Sequence, residues 1–375
     1  MERIAIGVSE KPICEDAIKE ASLRIKSDLS NKSISLVLAL FTSHYKPAPL
    51  YSTLTVTLRP QKIFGIQTPF LINQDTIINR GLILCAFCLQ KTSIESAFCD
   101  KNLREETEVL LRRASQKLRK RNFVLCTLGA RVNISSYLQA VKLSLGKFSN
   151  VFAIGYSKRY ALRNYQMVDN IWGEGLTTMV WGGDIRVDYE KIGGFLPVGK
   201  PCTITKINYQ RHTITEINKQ PAADIYKKYF GRDFNLLKKT HLYSFYPLGI
   251  KHNSNYRLIN IVNILDDDSL LYLGKLQEGV QANIMVATPM NLLSYTKKYL
   301  KKIKEKYSSF NLAIVVNSIV RKNILRNEAQ REIEIIQQSL PKVKVIGLYC
   351  DYAIFPERET KELIPESSNI YIIFL

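Results

Sequence analysis

One order of residues recurs three times along this chain, and it narrows the choice of fold more than any other feature. An apolar run too short for a helix is followed by a stretch with helical spacing, then by a second apolar run with a glycine near its end. The clearest copy spans 312–356. Residues 312–316, LAIVV, are rich in β-branched side chains and read as a buried strand. Asn327 stands where a helix cap would, ahead of Ile333, Ile336 and Leu340 at helical spacing, and Pro341 ends that helix. Residues 343–348 form the second run, with Gly347 near its end. The same order returns at 123–127, 135–145 and 151–156, with Gly155, and again at 36–41 and 63–66, with Gly65. In that last copy the intervening segment is a poor helix. A further apolar run follows each glycine, at 82–89, 177–181 and 370–375. Self-similarity at long spacing marks duplicated supersecondary units, although any α/β chain shows some strand–helix–strand runs. The predicted fold is α/β: repeated strand–helix–strand units in layered mixed sheets with helices packed outside. Such sheets bind ligands at their strand exits.

The chain has 375 residues, 46% of them hydrophobic and 23% charged, which is enough for a full core. The longest strong apolar run, 81–89, is far short of the roughly 18 residues that span a bilayer. The opening MERIAIGVSEKP has neither the basic region nor the long apolar core of a signal peptide, so a cytoplasmic protein is expected. Seven cysteines in apolar surroundings suit reduced core thiols better than a disulfide framework. Cys85 and Cys88 match CxxC by letter, but in a strand i and i+3 face opposite sides, and no second pair follows at zinc spacing. With only four well-separated histidines, no metal and no cofactor are expected.

A net charge of +20 is the loudest compositional feature. The basic residues concentrate in 112–121 (RRASQKLRKR) and 297–306 (KKYLKKIKEK), both read as amphipathic helices. Each is either a solvated face or a patch for nucleic acid, acidic lipid or an acidic protein. No helix-turn-helix, RNA-recognition or zinc-finger pattern supports nucleic acid.

Other segments are placed more coarsely. Residues 45–60, with three prolines, read as loop or edge strand, and 97–116 as one long helix. The polar segment 156–176 carries Arg159, Arg163, Tyr165 and Trp172, and either covers the open end of a sheet or forms a recognition surface. Residues 203–208 and 213–217 alternate at period two across a short turn, predicting a β-hairpin inserted in the middle of the chain, with a helix from 222.

The segments Ile6-Gly7-Val8-Ser9, Gly183-Asp184-Ile185-Arg186-Val187 and Gly194-Phe195-Leu196-Pro197-Val198-Gly199 resemble the FIST domain, named for F-box and intracellular signal transduction proteins. The resemblance continues in order through Asn218-Lys219-Gln220-Pro221-Ala222, Phe245-Tyr246-Pro247-Leu248-Gly249, Leu276-Gln277-Glu278-Gly279, Val315-Val316-Asn317-Ser318 with Arg321, and Ile346-Gly347-Leu348-Tyr349. It implies an N-terminal FIST region, 1–221, and a C-terminal one, 222–375. The implied role is sensory: binding a small ligand, with amino acids as one class, and signalling through a separate protein partner. Two positions depart from the family pattern. Ser318 stands where a cysteine is usual, and Ala353 replaces an acidic residue for which Asp351 is a substitute two positions earlier.

The predicted ligand site is the convergence of two strand exits: Asn317, Ser318 and Arg321 from one, Tyr349, Cys350 and Asp351 from the other. Arg321 would fork onto a carboxylate, Asp351 would accept from an amine and Tyr349 would supply a wall. Alternatively, Arg321 and Asp351 bridge each other at the sheet edge. Two other functions stay open: a basic-surface binder of nucleic acid or acidic partners, and an enzyme with Ser318 or Cys350 as nucleophile. The enzyme needs a base within reach, and none of the four histidines is near in sequence.

Overall fold

A computed structural model describes residues 3–30, 32–100, 104–118, 120–146, 150–157, 164–252 and 255–375. Three units follow one another, each a strand, a helix, a parallel strand–helix–strand pair, a short hairpin and a closing strand. Unit one is β1 (Arg3–Ser9), α1 (Cys14–Leu29), β2 (Leu36–Phe41), α2 (Pro47–Thr57), β3 (Lys62–Gln67), the hairpin β4 (Leu71–Asn73) and β5 (Thr76–Ile78), then β6 (Leu82–Cys88). Unit two is β7 (Thr92–Cys99), α3 (Arg104–Gln116), β8 (Arg121–Leu128), α4 (Ile134–Leu145), β9 (Val151–Gly155), β10 (Gln166–Val168), β11 (Ile171–Gly173) and β12 (Leu176–Gly183).

Unit three opens with β13 (Asp188–Ile192) and is then interrupted. The insertion holds β14 (Leu196–Asn208), β15 (Thr213–Ile217), β16 (Gln220–Pro221), α5 (Asp224–Phe230), α6 (Phe234–Thr240), β17 (Leu248–His252), β18 (Asn255–Ile264), β19 (Leu270–Leu273) and β20 (Gln281–Val286). The unit resumes with α7 (Pro289–Tyr307), β21 (Leu312–Ser318), α8 (Ile319–Leu325), α9 (Ala329–Ser339), β22 (Lys344–Cys350), β23 (Tyr352–Pro356), β24 (Leu363–Glu366) and β25 (Ile370–Phe374).

Among the described residues, each unit nucleates a six-stranded sheet of the same order. The sheets run β1-β6-β2-β3-β10-β11, β7-β12-β8-β9-β23-β24 and β13-β25-β21-β22-β4-β5. In each the last two strands are a hairpin lent by another unit: unit two's to unit one, unit three's to unit two, and unit one's to unit three. The exchange closes a ring of three. Inner faces meet in one apolar core that includes Leu40, Phe64, Leu125, Phe152, Val316 and Ile346. Outer faces pack under α1 and α2, under α3 and α4, and under α7 and α9. The recurring glycines now have a physical reason. A Cβ on Gly155 would lie 2.0 Å from the ring of Tyr352 on the incoming hairpin, and one on Gly65 would lie 2.8 Å from Met167.

Several local expectations are corrected. Residues 47–57 are helical: Pro47 sits in the first turn, where it costs no hydrogen bond, Leu50 and Leu54 are buried four apart, and Thr55 and Thr57 return their hydroxyls to backbone carbonyls. The helix expected from 97 begins at 104, because Thr92–Cys99 is consumed pairing with β12. The basic run 112–121 is not one helix face: α3 ends at Gln116 and Arg121 starts β8, with Arg119 outside the described residues. The crossover between β21 and β22 holds two helices, the first capped by Ser318, and Asn327 lies in the 3-10 turn between them. Tyr165 and Trp172 flank or lie on the hairpin lent to unit one, while Arg159 and Arg163 lie outside the described residues.

The predicted hairpin, β14 with β15, is present but belongs to something larger. Because β14 pairs with both β20 and β15, strands β14-β20-β17-β18-β19-β15 close into a barrel, with β16 added outside β15. Its core is shared with α5 and α6 through Tyr226, Phe234 and Leu237.

All seven cysteines are free thiols, six of them buried and Cys99 partly exposed. Cys85 and Cys88 face opposite sides of β6, one in the inner core and one under α1 and α2. Alkylation of the native protein with iodoacetamide, mapped by peptide mass, should label Cys99 first. Labelling of Cys350 before unfolding would contradict its burial.

Candidate functional site

The strand exits do converge as the sequence suggests. In the parallel register of β21 and β22, Asn317 lies opposite Tyr349 and Ser318 opposite Cys350. All six predicted residues, however, are buried. Arg321 is 0% exposed and its guanidinium is fully engaged. Its Nε donates to Glu332 Oε1 at 2.8 Å, Nη1 to the Gly193 carbonyl at 2.6 Å and Nη2 to Thr296 Oγ1 at 2.8 Å. The ion pair with Glu332, also 0% exposed, is 2.7 Å. Asn317 Nδ2 adds a bond to the same carboxylate at 3.3 Å. Arg321 therefore takes neither a ligand carboxylate nor Asp351, which accepts the Ser157 N–H instead. Ser318 caps α8, accepting from Arg321 N at 3.3 Å, and donates to the Ser367 carbonyl. Burial, then the neighbouring Asp351, pushes the Cys350 thiol well above its ordinary range.

Two of these residues, Arg321 and Ser318, reach the walls of a cleft of about 480 Å³. Arg321 grips Gly193, which lines it, and Ser318 grips the loop leading to Asn369, which also lines it. The cleft lies where the barrel meets unit three. Its walls come from β13, the start of β14, β18, α7 and the end of β23, with Phe195, Tyr256, Tyr295, Tyr299 and Phe355 supplying aromatic surface.

Two buried carboxylates organise its polar side. Glu190 Oε2 accepts from Tyr299 OH at 2.6 Å, and Oε1 from Tyr307 OH at 2.6 Å and Arg358 Nη2 at 2.9 Å. Glu366 Oε1 accepts from Lys191 Nζ at 2.7 Å, and Oε2 from Asn369 Nδ2 at 2.7 Å and from Tyr371 OH. Burial raises the Asp188 carboxyl, but Lys306, the Tyr189 N–H, Tyr307 and Arg358 outweigh it and hold it below the usual range. Burial, reinforced by Glu190, pushes the Tyr299 phenol up.

Two groups keep capacity for a ligand. Half-exposed Arg358 commits only Nη2, to Asp188, Glu190, the Tyr189 carbonyl and Tyr307 OH among the described residues, leaving Nη1 and the Nε–H, which point to different sides of the guanidinium, as spare donors. Asn369 is 4% exposed, and its Oδ1 has no partner among the described residues. Its orientation is fixed chemically, since Glu366 can only accept and so faces the amide nitrogen. These cleft residues come from distant segments with no common spacing, so sequence patterns had no means to group them.

The three histidines whose side chains are described bond elsewhere: His212 to Ser135 at 3.2 Å, His241 to Tyr243 at 2.5 Å, and His44 to Thr42 at 3.2 Å. Among the described residues no group of three His, Cys, Asp or Glu could hold a metal ion, and no helix is long and apolar enough to cross a membrane.

The FIST N domain model matches residues 35–220 and the FIST C domain model residues 222–351. Together the two matches span most of the three-unit α/β ring. The chain belongs to the FIST family, whose domains are generally sensory, small-ligand-binding domains of signal transduction. The two matched spans meet at β16, just ahead of α5, within the segment inserted in unit three. No curated protein matches in sequence. Among solved structures, a cyanuric acid hydrolase from A. caulinodans is 7% identical with a TM-score of 0.40, covering 100% of this chain and 99% of its own. PurLQS from Thermotoga maritima is 8% identical with a TM-score of 0.21, covering 100% of this chain and 72% of its own. At these scores neither likeness bears on function.

Proposed function

We propose that this protein is a non-enzymatic sensor that binds a small amino-acid-like ligand in the cleft between barrel and unit three, and signals through a separate protein partner. The observation that carries the reading is the pairing of spare polar capacity there: the Nη1 amino group of Arg358 for a carboxylate, and the buried Asn369 Oδ1 for an amine. Tyr256, Tyr295 and Tyr299 wall the side chain. Arg321 and Ser318 are positioning residues behind the walls. Seven free thiols support a reducing, cytoplasmic setting.

A thermal-shift screen of amino acids tests this. A ligand at about 100 times its Kd adds about 2.7 kcal/mol, a rise of several degrees. R358Q should abolish the ligand-dependent rise while leaving a measurable melt. G193A is the gentler probe: its new Cβ would sit 3.5 Å from Asn369 Oδ1, an ordinary contact that covers the acceptor. An undiminished rise in both variants would remove the cleft assignment.

A further inference from the structure

Helix α7 has two outward faces. Tyr295 and Tyr299 border the cleft, while Lys297, Lys301 and Lys304 line a separate groove of about 1030 Å³ against α9. We infer that this groove docks an acidic amphipathic helix of a partner protein. Three observations carry the inference.

The lysines stand at i, i+4 and i+7, hence along one face, and none has an ion pair among the described residues. On the opposite wall Arg331 is paired with Glu328 at 3.5 Å, leaving Glu334 as the only other acid lining the groove, so positive charge is in excess. Apolar side chains share the lining, Met290, Leu293 and Ile335, and Met290 is 76% exposed. Apolar groups lining a groove together with unpaired lysines fit a helix with an apolar stripe flanked by Asp and Glu. From 290 to 304 the groove runs roughly 20 Å at about 1.5 Å per residue, the length of a helix of about 14 residues.

The groove is also mechanically joined to the cleft. Thr296 on α7 donates to Glu332 on α9 at 3.1 Å, and Arg321 binds both of these residues while holding Gly193 in the cleft wall. The relevance of this link to sensing rests on the ligand reading above. Docking does not, so it is measured without ligand.

The test is fluorescence anisotropy with the full chain and a labelled 15-residue helical peptide carrying leucines at i, i+3 and i+7 and glutamates beside them. Saturable binding that weakens with salt is expected. K297E/K301E should weaken it by about tenfold or more, while K298E/K302E, the same charge change on lysines that do not line the groove, should shift it by less than about threefold. M290D should also weaken it. Thermal melts of each variant confirm folding. Equal losses in the two lysine pairs, no binding at low salt, equal binding of a scrambled peptide of the same charge, or tighter binding of phosphatidylserine vesicles or an oligonucleotide would each overturn the proposal.

Discussion

Replacing Glu332 with glutamine should destabilise the protein by about 3–5 kcal/mol, the cost of leaving one member of a buried ion pair uncompensated. Glutamine fills nearly the same space, so packing around it changes little. What changes is charge: Arg321, 0% exposed, loses the carboxylate that faces its Nε and Nη2. The loss is felt widely, because the guanidinium also holds Gly193, Thr296 and Leu292, tying β13's exit to α7, α8 and α9. Arg321→Met should cost a similar amount by stranding Glu332. The double variant R321M/E332Q should be clearly less damaging than the two single losses added, since a neutral pair leaves no buried charge. Full recovery is not expected, because the Gly193 carbonyl loses its donor. Urea unfolding of the four proteins reads this directly, and losses that simply add would falsify the coupling.

That ion pair also shows which parts of the architecture were legible in sequence. Arg321 was legible through the FIST resemblance of the segment Val315-Val316-Asn317-Ser318 that precedes it. Its partner was not, although Glu332 shares the buried face of α9 with Ala329, Ile333 and Ile336, and a carboxylate among such positions asks for a partner. The remaining contacts, Gly193 and Thr296, come from elements far away in sequence, and no periodicity encodes them.

The same division holds for the fold. Buried strands are nearly continuous apolar runs, so β2, β8, β21 and β22 stood out, together with the glycines that follow the paired strands. Helix α2 was hidden because prolines and β-branched residues argue against a helix locally, and tertiary burial of Leu50 and Leu54 overrides that preference. The lent hairpins were hidden for another reason: three-residue strands such as β4 and β10 carry almost no pattern, and their partners belong to a different unit. The barrel showed only its most local pair, β14 with β15.

The ring closed by those hairpins yields the second large effect, at Gly155. Gly155→Ala should destabilise by about 3 kcal/mol or more, above the usual overpacking range, because the added Cβ would meet the Tyr352 ring at 2.0 Å. The ring has little room to yield: it is directly opposite in register, buried, and packed in the core beneath α3 and α4. Tyr352→Ala alone should also cost about 3–5 kcal/mol, through the cavity it leaves. In G155A/Y352A the clash is gone, so the double variant should be more stable than the sum of the single losses implies, by more than about 0.5 kcal/mol. Equivalent glycines provide an internal ranking. Gly65→Ala meets the flexible end of Met167 at 2.8 Å and should cost less, whereas Gly347→Ala meets the Val315 backbone carbonyl at 2.2 Å and should be as severe as Gly155→Ala. Hydrogen exchange locates the damage: G155A should first deprotect β9 and β23, where unit three's hairpin joins unit two's sheet. Additive losses at 155 and 352, with exchange unchanged in those strands, would mean that the hairpin is not held by this contact.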